Sequence, residues 1–226
     1  MPPQPAIDAL VPFKRFDRAK ERLAELLAPS EREALARLLL TEALTALADA
    51  PSIRRTLLVT SDAEAATIAA GHGAQTIPEP EGVRGLNPAL EAARLAILDG
   101  PEPPHALLVL HADIAGLDAA AIARFLAGAE AERLVRLCPA RDEGSNALLL
   151  RPPDAIPFRY GPRSALAHAA EAEAAGARFE RRIVDALQDD LDTPADVERL
   201  LRSGRGGAPV ALLRSLGVAG RLRGAG

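Results

Sequence analysis

The chain has 226 residues, of which 48% are hydrophobic and 3% aromatic, and its formal net charge is −4. This length and composition suit one α/β domain, whereas the negative charge and the few aromatic side chains argue against a nucleic-acid partner. The single cysteine, Cys138, excludes a disulfide within the chain and a zinc site built from cysteines.

The amino-terminal residues lack the charged and apolar regions of a signal peptide. No apolar run approaches the roughly 18 residues of a membrane span. We therefore expect a cytoplasmic protein that has no membrane partner.

Apolar runs alternate with helical patterns along the rest of the chain. In chain order they predict a strand at 6–13, helices at 18–27 and 30–47, a strand at 56–60, a helix at 63–70, a strand at 74–77, a helix at 88–98, a strand at 105–110, a helix at 118–126, strands at 134–138 and 147–150, a helix at 164–175, a strand at 179–184 and a helix at 193–201. Such alternation predicts an α/β fold with a mostly parallel central sheet and helices on both faces.

Several details follow from this assignment. Ser30 and Glu33 form a capping-box pattern at the start of the second helix. Cys138 falls in a predicted strand, which favours a buried structural thiol over a nucleophile. We expect one domain at 1–202 and a Gly- and Arg-rich tail at 203–226, mobile except for one short apolar helix at 210–216.

Lysine is rare in this chain. Of the 27 Lys and Arg residues only Lys14 and Lys20 are lysines, and they lie in one short stretch. An arginine bias explains the remainder, so either a site that needs a compact ammonium group preserved both lysines or their survival is chance.

The segment 11–23 follows the first predicted strand and is rich in basic residues. Lys20 and Arg22 fall in the opening turns of a predicted helix, whose N-terminal amides favour anions. This arrangement suits a triphosphate, although a solvated basic surface explains it equally well. The P-loop and G-x-G-x-x-G patterns are absent, so kinase-like or Rossmann nucleotide binding is not supported.

Acidic residues follow several of the other strands, where a parallel sheet gathers its ligands. Asp113 ends a buried strand, and because Asp118 already suits the next helix cap, we favour a metal-ligand role for Asp113. Asp190 and Asp192 lie on one side of an extended stretch and could share that metal. The alternative is that Asp192 or Thr193 only caps the last helix.

Three loops of small residues precede predicted helices or strands: Gly85-Leu86-Asn87, Gly144-Ser145-Asn146 and Gly161-Pro162-Arg163-Ser164. The first could read a purine or ribose edge, with Asn87 as a plain N-cap as the equal alternative. The other two could present amides and hydroxyls to a phosphate or carboxylate. His168 lies one turn after Ser164, and a packed surface histidine is the simplest interpretation.

In their order, these segments resemble the family of 2-phospho-L-lactate guanylyltransferases, some of which use phosphoenolpyruvate or 3-phosphoglycerate in coenzyme F420 biosynthesis. The resemblance covers about residues 6–202. The matching pieces are Val11-Pro12 with Lys14, Ala19-Lys20 with Arg22-Leu23, Gly85-Leu86-Asn87, Ala112-Asp113, residues 144–148, Gly161 with Ser164 and His168, and residues 190–194.

The resemblance implies a single-domain nucleotidyltransferase that moves GMP from GTP to a small phosphorylated carboxylic acid, with a downstream enzyme of that pathway as a partner. It implies Mg²⁺ as the cofactor. The implied roles are triphosphate binding and catalysis for Lys14, Lys20 and Arg22, nucleotide binding also for Gly85 and Asn87, acceptor binding for Ser145, Gly161 and Ser164, and metal binding for Asp113, Asp190 and Asp192.

Two rival functions remain at this point. One is a molybdenum-cofactor or sugar-phosphate nucleotidyltransferase of the same fold, but those enzymes typically carry a Gly-rich loop with an arginine after the first strand, where this chain has Val11-Pro12-Phe13-Lys14. The other is a non-catalytic nucleotide-binding regulator. Pyrophosphate release separates this second rival from an enzyme.

Overall fold

A computed structural model describes residues 6–80 and 82–224. Strands and helices alternate as predicted, and the boundaries shift by only a few residues for most of them. The elements are β1 Ile7–Pro12, α1 Pro29–Ala48, β2 Ile53–Val59, α2 Ala63–Gly71, β3 Gln75–Ile77, α3 Leu86–Leu98, β4 Ala106–Leu110, α4 Ala119–Leu126, β5 Leu134–Pro139, β6 Ser145–Arg151, α5 Ser164–Ala174, β7 Arg178–Arg181, α6 Pro194–Ser203, α7 Gly207–Ser215 and α8 Val218–Gly224.

All seven strands form one sheet in the order β3-β2-β1-β4-β6-β5-β7. Strand β6 pairs antiparallel with both of its neighbours, and the other pairings are parallel. The predicted mostly parallel sheet is therefore confirmed. Because β6 runs backwards, its first residue, Ser145, lies at the same edge as the carboxyl ends of the other strands.

Helices cover both faces of the sheet, as predicted. Alternate side chains of β4 enter opposite cores, because successive residues of a strand point to opposite faces. Leu108 packs with α1, α2 and α4, whereas Leu107 and Val109 pack with α3 and α5. Cys138 is a buried thiol on β5, as expected, and burial raises its pKa.

The predicted helix at 18–27 is wrong. The chain forms two short 3₁₀ turns instead, at Phe16–Arg18 and Glu21–Leu23. Between them Lys20 has a φ of +54°, which a continuous right-handed helix cannot contain. Lys20 and Arg22 therefore do not lie at the N-terminus of an α-helix, and their charges act without that help.

Two predicted helix starts also need correction. Helix α1 begins at Pro29 with Ala28 as its N-cap, and the carboxylate of Glu31 accepts a hydrogen bond from the N–H of Ala28 at 2.8 Å. The predicted pair of Ser30 and Glu33 does not form this cap. Helix α3 begins before Pro88, at Leu86, because Gly85 with a φ of +100° is its N-cap.

The tail beyond residue 202 is more ordered than predicted. The expected helix at 210–216 exists as α7, and α8 follows it. Val210, Leu213 and Val218 are buried with residues of α1 and α6 in a third core, so the segment 207–218 packs on the domain. Within the described residues, no helix has the length and apolar character needed to cross a bilayer.

Candidate active site

At the edge of the sheet where the carboxyl ends of the parallel strands lie, a cavity of about 210 Å³ opens just beyond β1 and β4. Four basic and two acidic side chains line it: Lys14, Arg15, Arg18, Lys20, Asp113 and Asp192. Arg22 lines a neighbouring cavity of about 280 Å³, which shares Asp192 with the first and also contains Asp190. The structure thus brings the two predicted lysines together with Asp113 and Asp192, whereas Arg22 lies in the neighbouring cavity.

Lys20 lines the first cavity, and its ammonium group contacts Asp192, which lines both cavities. Its Nζ lies 2.9 Å from Oδ1 of Asp192 and 3.5 Å from Oδ2 of Asp113, and the side chain is only 8% exposed. Burial alone would lower the pKa of Lys20, but the two carboxylates outweigh it and raise that pKa. Burial would likewise raise the pKa of Asp113, yet Lys20 and His111 hold that pKa below its usual value. Both groups are therefore charged at neutral pH.

Backbone pairing fixes the aspartates relative to one another. Ile114 and Asp190 form an isolated antiparallel bridge, and the N–H of Leu191 donates to the carbonyl of Asp113 at 3.0 Å. Burial raises the pKa of Asp190 to about 6, with smaller contributions from Asp113 and Asp192. The Asn146 amide opposes this shift by donating to Oδ1 of Asp190 at 3.1 Å. The three predicted metal ligands thus lie close enough to sense each other's charge.

The fit of this site to Mg²⁺ can be tested on the side chains themselves. The donor chemistry fits, because carboxylate oxygens are hard ligands and Oδ1 of Asp113 is buried without a hydrogen-bond partner. Among residues 6–80 and 82–224, however, no three acidic, histidine or cysteine side chains converge on one point. Lys20 instead bridges two of the carboxylates. The metal-binding role of Asp113, Asp190 and Asp192 stays a prediction.

A further cavity of about 250 Å³ opens beside the lysine cavity, and Lys14 and His111 line both. Its other walls are Pro12, Phe13, Glu79, Gly85 and Leu86. Sequence reasoning missed Glu79. In the described part of the chain its carboxylate forms no hydrogen bond or ion pair, so this acid at the rim of an apolar cavity is free to bind a ligand.

Asn87 does not line that cavity. Its amide oxygen accepts from the N–H of Tyr160 at 2.7 Å, and its amide nitrogen donates to the carbonyl of Tyr160 at 2.9 Å. Asn87 is also not the N-cap of α3, which is Gly85. The nucleotide-binding role of Asn87 stays a prediction, and one amide hydrogen remains for a ligand.

The predicted acceptor residues come together on the other half of the edge. Oγ of Ser145 lies 2.9 Å from Oγ of Ser164, and Ser164 is the first residue of α5. Gly161 precedes this helix with a φ of +152° and open space at its α-carbon. His168 joins the pair, with Nδ1 at 3.0 Å from Oγ of Ser145. The expected surface histidine is therefore wrong, because this ring is fully buried.

Three other acids near this edge stabilise helix starts or a turn. Asp62 caps α2 by accepting from the N–H groups of Glu64 and Ala65. Asp142 accepts from the N–H of Gly144 at 3.0 Å and closes the β5–β6 turn. Asp118 caps α4, as predicted. The acids near this edge thus fall into two groups by their contacts. Asp62, Asp118 and Asp142 stabilise caps and a turn, and the second group is Asp113, Asp190 and Asp192.

Comparisons with known proteins identify the family to which this chain is similar. A family model described as guanylyl transferase CofC like matches residues 7–224. The chain is 41% identical to a phosphoenolpyruvate guanylyltransferase of Sphaerobacter thermophilus, over 89% of this chain and 94% of that protein. It is 35% identical to a 3-phospho-D-glycerate guanylyltransferase of Colwellia psychrerythraea, over 84% and 89%. It is 32% identical to a 2-phospho-L-lactate guanylyltransferase of Methanothermobacter thermautotrophicus, over 92% and 90%.

Solved structures share the fold at low sequence identity. A protein from Desulfovibrio desulfuricans G20, described as a nucleotide-diphospho-sugar transferase, has a TM-score of 0.77 at 17% identity and covers 96% of each chain. A nucleotidyl transferase from Methanothermobacter thermautotrophicus has a TM-score of 0.60 at 16% identity, over 93% of this chain and 99% of its own. At these identities the likeness shows the fold alone.

Proposed function

Because the chain belongs to the family of CofC-like guanylyl transferases, we propose that it moves GMP from GTP onto the phosphate of a small phosphorylated carboxylic acid. The relatives named above act on phosphoenolpyruvate, 3-phosphoglycerate or 2-phospho-L-lactate. In this reaction a phosphate oxygen of the acid bonds to the α-phosphorus of GTP. The bond from that phosphorus to the β-phosphate bridging oxygen breaks, and pyrophosphate leaves.

The observation that carries the proposal is the cavity that combines Lys14, Arg15, Arg18 and Lys20 with the carboxylates of Asp113 and Asp192. Two anions must approach each other in this reaction, so neutralising charge is the main catalytic task. The four cations suit the triphosphate and the departing pyrophosphate. A phosphate dianion is already a nucleophile at neutral pH, so the step needs no general base.

Mg²⁺ is the cofactor that we propose for this cavity. Asp113, Asp190 and Asp192 would hold it, and a bound ion would supply positive charge against the phosphate oxygens. The chain's own contribution is positional. The bridge between Ile114 and Asp190 fixes the two loops that carry these acids, and Lys20 holds Asp113 and Asp192 at a set spacing.

We place the guanine base in the cavity lined by Pro12, Phe13, Leu86 and Glu79. Its apolar walls suit a flat ring, and it adjoins the lysine cavity through Lys14. Guanine presents the N–H groups of N1 and N2 along one edge, where adenine presents an acceptor nitrogen. A carboxylate only accepts hydrogen bonds, so Glu79 pairs with guanine and repels adenine.

The acceptor acid belongs on the opposite half of the edge, at Ser145, Gly161 and Ser164. Hydroxyl groups at the start of α5 suit an oxyanion, because the helix N-terminus adds partial positive charge. Ser145 is followed by Asn146, whose amide contacts Asp190. The acceptor site is thus joined directly to the acids on the nucleotide side.

The test is a product assay in which GTP and Mg²⁺ are incubated with each of the three acids in turn. We expect pyrophosphate release and a guanylylated product with at least one acid, and a strong preference for GTP over ATP, CTP and UTP. Binding of GTP that releases no pyrophosphate in the presence of any of the three acids would identify a regulator and contradict the proposal. Equal turnover with ATP would contradict the placement of guanine.

The cellular setting follows from the same proposal. The family suits coenzyme F420 biosynthesis, in which the guanylylated acid is passed to a downstream enzyme. That this enzyme binds the chain directly, and that the reaction takes place in the cytoplasm, remain predictions from the sequence.

A further inference from the structure

A line of buried polar groups leads from the backbone to the two serines of the acceptor site. The N–H of Arg159 lies 3.0 Å from Nε2 of His168, whose Nδ1 lies 3.0 Å from Oγ of Ser145. Oγ of Ser145 is in turn 2.9 Å from Oγ of Ser164. His168 is 0% exposed, and the two serines are 5% and 2% exposed. His168 is therefore shielded from bulk water, whereas the two serines keep a small exposed fraction.

The hydrogen on the imidazole can be placed from these contacts. A backbone N–H only donates, so Nε2 of His168 must accept and carries no hydrogen. The neutral ring then carries its hydrogen on Nδ1, which donates to Ser145. Burial lowers the pKa of His168 to about 4, which keeps the ring neutral at physiological pH.

The remaining hydrogens can then be counted. Nδ1 of His168 and the two hydroxyls bring one hydrogen each, and the three groups form two hydrogen bonds among themselves. One hydroxyl hydrogen is therefore left over. Within the described residues neither hydroxyl has another partner, so this hydrogen is available to a group bound beside Ser145 and Ser164.

We infer that His168 is a positioning residue for the acceptor, because its hydrogen on Nδ1 obliges the pair of Ser145 and Ser164 to present a donor to whatever binds there. The group recognised is an oxyanion that only accepts, either a phosphate or a carboxylate. This inference rests on the proposed function, and adds a residue that acts through the serines.

Neighbouring contacts hold the imidazole in this orientation. The ring of Tyr160 meets the ring of His168 edge-on, with centroids 5.0 Å apart, and packs on His111 at 5.1 Å. The backbone of Tyr160 is fixed by the two hydrogen bonds to Asn87. The Gly85-Leu86-Asn87 loop therefore supports the acceptor side of the edge through Tyr160.

The test compares His168→Leu, which keeps an apolar side chain in the core, with His168→Gln, whose amide both donates and accepts. In His168→Leu the serines keep one spare hydrogen, but Ser145 loses the donor that orients the pair. We therefore expect the acceptor KM to rise about two- to tenfold, as for the loss of one neutral hydrogen bond, while kcat and the KM of GTP stay near wild type. His168→Gln should restore the acceptor KM. His72→Leu, which removes an imidazole from the end of α2, is the matched control, and melting temperatures report on packing.

Two measurements do not depend on turnover. Calorimetry with inorganic phosphate should show weaker binding to His168→Leu and to Ser164→Ala, with a double variant that loses less than the sum. ¹⁵N NMR of the wild-type imidazole should show the hydrogen of His168 on Nδ1, and this reading requires no variant to fold.

The outcomes separate this inference from the proposed function. A wild-type protein that makes no product from GTP and any acid would overturn the function, while the phosphate and NMR measurements would still decide the role of His168. A hydrogen on Nε2 would overturn the inference. So would an unchanged acceptor KM in His168→Leu, an equal rise in the KM of GTP, or a His168→Gln variant that melts like wild type but binds acceptor as poorly as His168→Leu.

Discussion

At the scale of single residues, Lys20 couples two charges that would otherwise repel. Its ammonium group is 2.9 Å from Asp192 and 3.5 Å from Asp113, in a position with little exposure. A planar guanidinium is larger and demands a different arrangement of acceptors. The rarity of lysine in the sequence pointed to this residue, and the ion pairs supply the physical reason.

We expect Lys20→Arg to lower kcat/KM by about tenfold or more, because the guanidinium cannot occupy the ammonium position without moving Asp113 or Asp192. Lys14→Arg should also impair activity, but less, because Lys14 is exposed and lines two cavities. Steady-state kinetics with both substrates measure the effect. Near-normal kcat and KM in both variants would mean that the two lysines are remnants of the genome's arginine bias.

Replacing Asp113, Asp190 or Asp192 singly by Asn should cost most of the activity and leave the fold intact, because the three are proposed to serve one ion. Double variants should lose far less than the sum of the single losses. The measurements are activity and thermal melting, with and without Mg²⁺. Asp118→Asn is the matched control on the same loop, since Asn caps α4 about as well as Asp. Full activity in Asp113→Asn, or turnover without Mg²⁺, contradicts this mechanism.

Glu79→Gln should reduce the preference for GTP over ATP, because the amide can donate to the acceptor edge of adenine. The loss should also appear as a smaller difference between GTP and ITP, which lacks the amino group on C2 of the base. Competition assays with the nucleotide pairs give the ratio of kcat/KM directly. Glu132→Gln, an exposed site before β5, is the control. An unchanged ratio in Glu79→Gln would show that another group reads the base.

At the scale of elements, most strands and helices could be predicted from apolar patterns and caps, as the Asp118 cap of α4 illustrates. The helix at 18–27 could not be ruled out in this way. The side chain of Lys20 contacts Asp192, which lies 172 positions later in the chain. Local propensity contains no information about such a contact. The helix prediction at 18–27 therefore failed at a residue that forms ion pairs with distant parts of the chain.

Arg136 ties three elements together in the core. From β5 it donates to the carbonyls of Phe125, Ala127 and Gly128 at the end of α4, at 2.8 to 2.9 Å. It also pairs with Glu180 on β7, and the residue is only 1% exposed. One buried guanidinium thus satisfies the free carbonyls of a helix end and a neighbouring strand.

Arg136→Met should lower the free energy of unfolding by about 3–5 kcal/mol, because it leaves the carbonyls of Phe125 and Gly128 without their donor and Glu180 with only the exposed Arg178. Arg178→Met is the matched control. Arg178 contacts the same Glu180 at 2.9 Å, but its side chain is 68% exposed, so we expect a loss of under about 1 kcal/mol. Urea unfolding with comparison of m-values measures both. Equal losses would mean that the carbonyl contacts contribute nothing.

At the scale of the whole molecule, the tail supports the loop that carries Asp113. Gly116 on that loop has a φ of +69°, and a Cβ there would lie 2.7 Å from the α-carbon of Gly206. The carboxylate of Glu42 on α1 accepts from the N–H groups of Gly116 and Ala208. Loop, tail and α1 therefore meet in one contact, a few residues from the predicted metal ligand.

Gly116→Ala should destabilise the protein and lower its activity, because the methyl group pushes the tail from the loop of Asp113. Gly73→Ala is matched in backbone strain, with a φ of +72°, but its Cβ would meet nothing within 4 Å. We expect about 1–2 kcal/mol for the strain alone and about 1–3 kcal/mol more for the overlap. Melting curves and kcat values for both variants test this prediction. Equal effects in the two would show that the contact between the tail and the Asp113 loop contributes to neither stability nor activity.

Much of the candidate site could be predicted because its members follow strands and a parallel sheet gathers such residues at one edge. Lys14, Lys20, Asp113 and Asp192 came together in this way. Glu79 and the direction of the His168 hydrogen bonds could not be predicted, because both depend on distances between elements that share no sequence pattern. The lack of space for a side chain at Gly116 likewise could not be predicted, because it results from the contact with Gly206, far along the chain.

The reversed strand β6 has a consequence for how this enzyme type diversifies. Strands β1 to β4 run parallel, and the loops after β1 and β4 line the lysine cavity, whereas the proposed acceptor residues Ser145 and Ser164 begin β6 and α5. The β5–β6 turn adjoins both groups, because Arg141 and Asp142 line the cavity of Arg22, Asp190 and Asp192, while Ser145 begins β6 just after the turn. We expect a graft of this hairpin between relatives to change acceptor choice and to carry Arg141 and Asp142 with it, so that the proposed acceptor site and this wall of the neighbouring cavity evolve together.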